Sequence, residues 1–366
     1  MKLKTTLLQS LVARAIKGAS MNKMLPITSL MAIELKDNKL RLTTTDGTNY
    51  LYVGEDKVEG DDFYVVVTAD IFAKLVAKMT CEYISIDIDH NFNKGAVTGG
   101  LTVVGNGTYS LEIPLDEDGE MVKYPDPAKA ELNTIDCGEI KLSTVKYILA
   151  TAKSALAQTN EIECYTGYYV GDSVIATDTY KICNVDIKLF NKPALVRAET
   201  FDLLDTFIDE SIEYERANDV IVFKSGNDCI YSPLMDSIDS YQVDAIMSLV
   251  ETDMPSVCSV SKVAMMQLLD RLSLFVSPYD KNGIYLTFTR TGMQVDSKKA
   301  NSTEVVEYKS SENFQNFTCC IDIEMLRTQI KSTVNDLLTI RYGDNSAIQI
   351  VDGNTTQVIA LLDDDR

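Results

Sequence analysis

The sequence predicts an α+β fold in which one unit is written three times. Two observations carry this. Helix-period segments and short hairpins recur in one order along 366 residues, and strands end in the same way at Thr45-Asp46 and at Thr177-Asp178. Prolines mark the seams, with Pro125 and Pro127 at the first and Pro255 at the second. The units therefore run 1–127, 128–250 and 251–366.

Each unit opens with a helix-period segment, at 6–20, 143–156 and 261–275. In the first, Leu8, Leu11, Val12 and Ala15 make an apolar stripe. In the second, Val145, Ile148, Leu149, Ala152 and Leu156 do the same. Ser143 and Ser261 stand where an N-cap hydroxyl accepts an otherwise orphaned backbone N–H. A hairpin follows, at 30–46, 167–178 and 284–297. The turns are placed at Asp37-Asn38, Gly171-Asp172 and Thr291-Gly292, which are rich in residues that accept positive φ. A second helix comes next, at 68–79, 197–210 and 322–333, and alternating strands close each unit. Two helices with short alternating strands predict helices covering one face of antiparallel sheet.

Composition narrows the function classes. Hydrophobic residues are 45% and charged residues 24%, as in ordinary globular proteins. No apolar run reaches the ~18 residues of a membrane span. Arg14 and Lys17 interrupt the N-terminal apolar segment, which reads as an amphipathic helix and not as a signal peptide. Eight scattered cysteines and one histidine, with no CxxC pair, fit neither a zinc site nor a disulfide framework, and a reducing cytoplasm is expected. The net charge of −20 argues against a simple nucleic-acid binder. The charge is unevenly spread, however: the six helix segments sum to +2, so the acid lies mostly outside them. The exception is 197–210, which carries Asp202, Asp205, Asp209 and Glu210; either these carboxylates face away from the side that the other helices make basic or that side is only weakly basic.

Chemistry-bearing motifs are absent. There is no P-loop, no GxSxG and no HExxH. Asp87, Asp89 and His90 alternate with isoleucines as on a half-exposed strand, so a metal site is not expected there. The acidic stretches 59–62 and 115–120 lack calcium-loop spacing, and Gly105-Asn106-Gly107 is a hairpin turn too short to hold phosphate.

Residues 22–51, "NKMLPITSLMAIELKDNKLRLTTTDGTNYL", resemble the first domain of bacterial-type DNA polymerase sliding clamps, the β subunit of the replicative polymerase. "GYYVGDSVIATDTYKIC" (167–183) resembles the middle-domain strand that reads Ala-Thr-Asp-Gly-His-Arg-Leu in that family. The resemblance covers the whole chain in order and length, with sparse identities and the most divergence in the third unit.

The resemblance implies a DNA clamp fold of three repeated domains and a head-to-tail homodimeric ring around duplex DNA, bound without sequence preference. It implies no catalysis, cofactor, metal or membrane. The expected site is bacterial cytoplasm, or host cytoplasm for a phage protein. Clients, a DNA polymerase and a clamp loader, would dock a short peptide with a glutamine and a Leu-Phe-like end between the second and third domains. Carried over by position, that pocket draws on Tyr165, Thr177, Thr179, Tyr180, Lys181 and Ile182, on Ile246 and Met247, on Ala347 and Ile348, and on Val358, Ile359, Ala360, Leu361 and Leu362. Thr179 replaces a family glycine, Tyr180-Lys181 replaces His-Arg, and Leu361 replaces a common proline before Asp363-Asp364-Asp365. Leu361→Lys is expected to abolish peptide binding and spare the dimer. DNA-facing positions are Lys17, Lys23, Lys146 and Lys153. The ring seam is expected at Tyr109, Leu111 and the 100–105 strand on one side, with Leu274, Phe275 and the acid Glu304 on the other. The 95–110 stretch has no Lys or Arg to meet that acid. Two other readings compete: an acidic, repeat-built scaffold that never touches DNA, and a metal-dependent enzyme using the acidic turns.

Overall fold

The structure, a computed structural model, describes all residues except 21, 23, 89–91, 94–95, 98–99, 130, 299–301, 311–313, 345 and 364–366, and omits the side chains of 92, 93, 96, 97, 129 and 160. Lys23, Asp89, His90, Asp364 and Asp365 thus lie outside the described residues. The chain forms two compact units, Met1–Val145 with Glu199–Leu234, and Lys146–Ala198 with Met235–Arg366.

Seven α-helices occur among the described residues: α1 (Thr5–Ala15), α2 (Ala69–Ala77), α3 (Leu142–Ala152), α4 (Ala198–Leu204), α5 (Val243–Val250), α6 (Lys262–Leu272) and α7 (Ile323–Ser332). The stripes behave as their spacing requires. Leu8, Leu11, Val12 and Ala15 are buried, as are Val145, Ile148 and Ala152. The helices α1, α3 and α6 each tighten into one 3₁₀ turn, at Ile16–Gly18, Lys153–Ala155 and Ser273–Phe275. The same 3₁₀ ending thus recurs after three helices.

Two caps differ in kind. Ser261 caps α6, accepting from the Ala264 N–H at 3.4 Å. Ser143 does not cap α3, because the helix already begins at Leu142. Glu210 serves that end instead: its carboxylate accepts the Ser143 N–H at 3.2 Å and the Ser143 hydroxyl, and its backbone carbonyl accepts the Leu142 N–H at 2.8 Å. An anion there complements the helix dipole. The acidic segment 197–210 is accordingly not one helix. It stops at Leu204, where Thr206 Oγ1 turns back onto the Leu203 carbonyl at 2.6 Å and Phe207 enters the core.

In the first unit, an eight-stranded antiparallel sheet runs Asp136–Lys141, Ser211–Arg216, Val220–Ser225, Asp228–Pro233, Tyr50–Asp56, Lys39–Thr45, Leu30–Lys36, Phe63–Thr68. A four-stranded sheet runs Lys2–Lys4, Tyr83–Ile88, Gly100–Val104, Thr108–Glu112. Ile84 and Ile86 are buried and Asp87 exposed, as alternation predicts. Arg14, on α1, forms an ion pair with the buried Asp228, whose other oxygen accepts the Gly54 N–H at 3.1 Å. Burial nevertheless raises the Asp228 carboxyl above its ordinary value.

In the second unit, a nine-stranded antiparallel sheet runs Ala194–Arg197, Gly167–Val170, Val174–Thr177, Lys181–Val185, Thr355–Ala360, Ala347–Asp352, Leu337–Tyr342, Ser256–Ser261, Lys309–Ser310. A four-stranded sheet runs Thr303–Glu307, Gly292–Ser297, Gly283–Phe288, Phe317–Asp322.

The hairpin turns only partly follow the sequence. Asp37 and Asn38 take φ of 53° and 60°, as a two-residue primed turn demands. The third hairpin turns at Thr289–Thr291, and Gly292 already belongs to the strand. There the Thr289 hydroxyl bonds the Gly292 carbonyl at 2.6 Å, so a side chain does the work expected of positive φ. All eight cysteines are free. No helix among the described residues is long and apolar enough to cross a membrane, and no group of three or more His, Cys, Asp or Glu among them is arranged to hold a metal ion.

Candidate functional site

The repeated Thr-Asp ends are loops with one hydrogen-bond plan. In the second unit, Thr177 Oγ1 donates to the Lys181 carbonyl at 2.8 Å and accepts the Thr179 N–H at 3.1 Å. Asp178 Oδ1 accepts the N–H groups of Tyr180 and Lys181 at 3.0 and 2.9 Å, and its second oxygen holds the Lys181 ammonium. Thr179 sits at φ +80°, a conformation β-branched residues rarely take. That is the position where the family resemblance supplied glycine. The loop throws Tyr180 outward, 62% exposed, while the Tyr180 carbonyl accepts the Ala360 N–H at 2.8 Å from the last strand.

Four neighbouring strands extend this loop into a face. The register sets Ile182 opposite Val358 and Val358 opposite Gln349. Alternation then sends Ile175, Ile182, Val358 and Ala347 to one apolar cluster, which also holds Tyr165 and Ile246, with Met247 packed against it. The same alternation sends Ile348 and Ile359 into a different core cluster, against which Leu361 packs. The sequence-based pocket therefore mixes two faces. Leu361→Lys consequently strikes the second cluster, and its expected effect is loss of stability before any selective loss of binding. Ala360 and Leu362 are half-buried, and the Leu362 N–H donates to the Cys320 carbonyl at 2.8 Å, tying the chain end to strand Phe317–Asp322.

Two tyrosines were missed by the sequence. Tyr241 lies edge-on to Tyr165 at 5.1 Å and stacked with Tyr169 at 5.4 Å, and its hydroxyl donates to the Ile175 carbonyl at 3.1 Å. Burial raises the Tyr241 phenol well above its ordinary value. No periodicity marks this residue, since it lies in a turn before α5. Gln349 Nε2 donates to the carbonyls of Leu249, Val250 and Thr252 at 3.0, 3.2 and 3.1 Å and so fixes the end of α5 over the face.

No family model and no curated protein matches the sequence. Solved structures do. The chain superposes on a DNA polymerase III β subunit from Thermotoga maritima with a TM-score of 0.82 at 13% identity, over 99% of this chain and 98% of that one. The sliding clamp of Bacillus subtilis gives 0.81 at 16% identity, again over 99% and 98%. A sliding clamp from Bartonella birtlesii bound to griselimycin gives 0.83 at 14% identity, over 100% and 99%. The chain has the sliding-clamp fold.

The other residues expected from the clamp resemblance are placed as follows. Lys17 is exposed in the 3₁₀ turn after α1, Lys146 is exposed on α3, and Lys153 is exposed in the 3₁₀ turn after α3. A cleft of about 380 Å³ in the first unit is lined by Lys17 and Arg14 together with Asp202 and Asp205. The acidic segment thus shares a side with Lys17. Tyr109 and Leu111 lie on Thr108–Glu112, the edge strand of its sheet. Leu274 and Phe275 are 80% and 51% exposed. Glu304 lies on another edge strand, Thr303–Glu307, next to Val305, which is 64% exposed and was not singled out from the sequence. Arg271 grips Glu304 through Nε at 2.9 Å, and this hydrogen bond holds the Glu304 carboxyl below its ordinary value.

Proposed function

We propose that the protein is a sliding clamp, a non-catalytic processivity subunit acting in the cytoplasm. In this reading three domains, 1–127, 128–250 and 251–366, from each of two chains close head to tail around duplex DNA. The ring tethers a DNA polymerase, and receives its loader, through the apolar face of the nine-stranded sheet. The observation that carries this is full-length superposition on solved clamps at TM-scores of 0.81–0.83.

Several features support the parts. Free sheet edges at Thr108–Glu112 and Thr303–Glu307 are what a ring needs for strand pairing between copies, and two different patches meeting under twofold symmetry close a ring. Exposed Lys17, Lys146 and Lys153 provide a weak attraction to phosphate, each neutralised charge adding ~0.9 to the log–log salt slope. Asp202 and Asp205 beside Lys17 favour the weakly basic alternative. Loose contact suits sliding; retention comes from topology, which keeps the tethered polymerase at high local concentration.

Negative-stain electron microscopy of the purified protein tests the architecture. Flat rings with a hole wide enough for a duplex are expected. Particles without a ring at any concentration, combined with no retention on nicked circular DNA after loading, would remove the clamp reading and leave the acidic scaffold.

A further inference from the structure

The apolar face carries a second property that bears on which peptides it accepts. The segments that cover it are 154–180 and 235–261, and neither contains a Lys or Arg. Acids stand exposed on every covering element. Glu161 and Glu163 flank the 46%-exposed Ile162 on the 3₁₀ segment Asn160–Thr166. Asp236 and Asp239 lie on the 3₁₀ segment Asp236–Ser240, and Asp244 and Glu251 lie at the two ends of α5 beside the 43%-exposed Leu249. Three cations border the face: Lys181 is held by Asp178 and only 11% exposed, Arg197 ends the strand that carries Leu195, and Arg341 stands exposed opposite Gln349, so the six acids are offset only in part. The centre is apolar and aromatic through Ile182, Val358, Tyr165 and Tyr241.

We infer that this face selects client peptides whose apolar anchor is flanked by lysine or arginine. The inference rests on the clamp reading for the existence of a client site and adds the charge of the client. Apolar anchors supply the affinity at the centre, whereas charges at a polar rim act on partner choice and association rate. Six exposed carboxylates against two arginines leave the rim net negative, which repels an acidic flank and attracts a basic one, with a range set by a Debye length of about 8 Å at physiological salt.

Fluorescence polarisation on the full chain tests this with three labelled synthetic peptides. Each carries the same Gln-Leu-Phe anchor, preceded by three lysines, three serines or three glutamates. The expected order is lysine, serine, glutamate, with the lysine peptide about tenfold tighter than the serine one in low salt and the gap closing at high salt. The double variant Asp244→Lys with Glu251→Lys, both surface positions, should narrow or invert the order while the melting temperature holds. Equal affinities across the three peptides, with no salt dependence, overturn the charge inference and leave the client site standing. No binding by any peptide, including the lysine peptide at low salt, overturns the client site itself. A preference for the lysine peptide left undiminished in the double variant overturns the assignment to these carboxylates.

Discussion

The loops Thr45–Asn49 and Thr177–Lys181 are built alike and placed to different ends. In the first, Thr45 Oγ1 donates to the Asn49 carbonyl at 2.6 Å and accepts the Gly47 N–H at 3.1 Å. Asp46 Oδ1 accepts the N–H groups of Thr48 and Asn49 at 2.8 and 2.7 Å, and Oδ2 accepts Asn49 Nδ2 at 2.8 Å. Bond for bond this is the plan of the second loop. The difference lies in two residues. Gly47 occupies the positive-φ position at +99°, and Thr179 occupies it at +80°. Asn49 is buried and accepts from the Thr200 hydroxyl at 3.2 Å, whereas Lys181 follows an exposed Tyr180. The first copy fastens the core; the second presents side chains. A repeated motif thus carries one backbone geometry while its two variable positions decide whether it is structure or surface.

The largest expected effect comes from breaking the buried copy. Asp46→Ala orphans three donors, two of them on the buried Asn49. Stranded buried donors cost about 1–3 kcal/mol each, partly relieved by relaxation, so a loss of about 3–4 kcal/mol is expected in urea unfolding. Gly47→Thr follows, at about 2 kcal/mol, from strained backbone and from a Cβ placed 3.0 Å from Leu25 Cδ1. Asp178→Ala should cost less than Asp46→Ala, about 1–2 kcal/mol, because the Tyr180 end of that loop reaches water. Equal losses from the two aspartate variants would show that the buried and exposed copies carry the same load, against the contrast drawn above.

What was legible in the sequence has the same division. Helices and hairpins declared themselves because burial on one side imprints a period, and α1, α3, α6 and α7 start within one residue of their periodic segments and stop one to five residues before the segments end. The Thr-Asp ends were visible as a repeat, but the bonds that require them were not. The acidic segment 197–210 misled because charge and apolar residues kept helical spacing past Leu204, where Thr206 and Phe207 redirect the chain. The resemblance points to the candidate face and also blurs it: it groups residues 358–362, whereas the two-residue period of strand Thr355–Ala360 parts Val358 from Ile359. Tyr241 and the join between strands Lys181–Val185 and Thr355–Ala360 could not be read locally, since register between segments this distant leaves no mark on either one.

The smallest effect is the most informative about the second loop. Thr179→Gly relieves a positive-φ threonine, a strain of order 1–3 kcal/mol, but frees the unfolded chain, which gives back about 0.4–1 kcal/mol. A net stabilisation of about 0.5–1 kcal/mol is expected, the reverse of Gly47→Thr at the matching position. Peptide affinity should move the other way. Threonine restricts the loop to the shape that holds Tyr180 outward and its carbonyl on Ala360, and glycine lets the loop sample others, so binding should weaken a few-fold as ordering shifts to the moment of contact. Stability and affinity rising together would instead mean that the strain at Thr179 serves no binding purpose, and that glycine was displaced from this position without consequence for the face beside it.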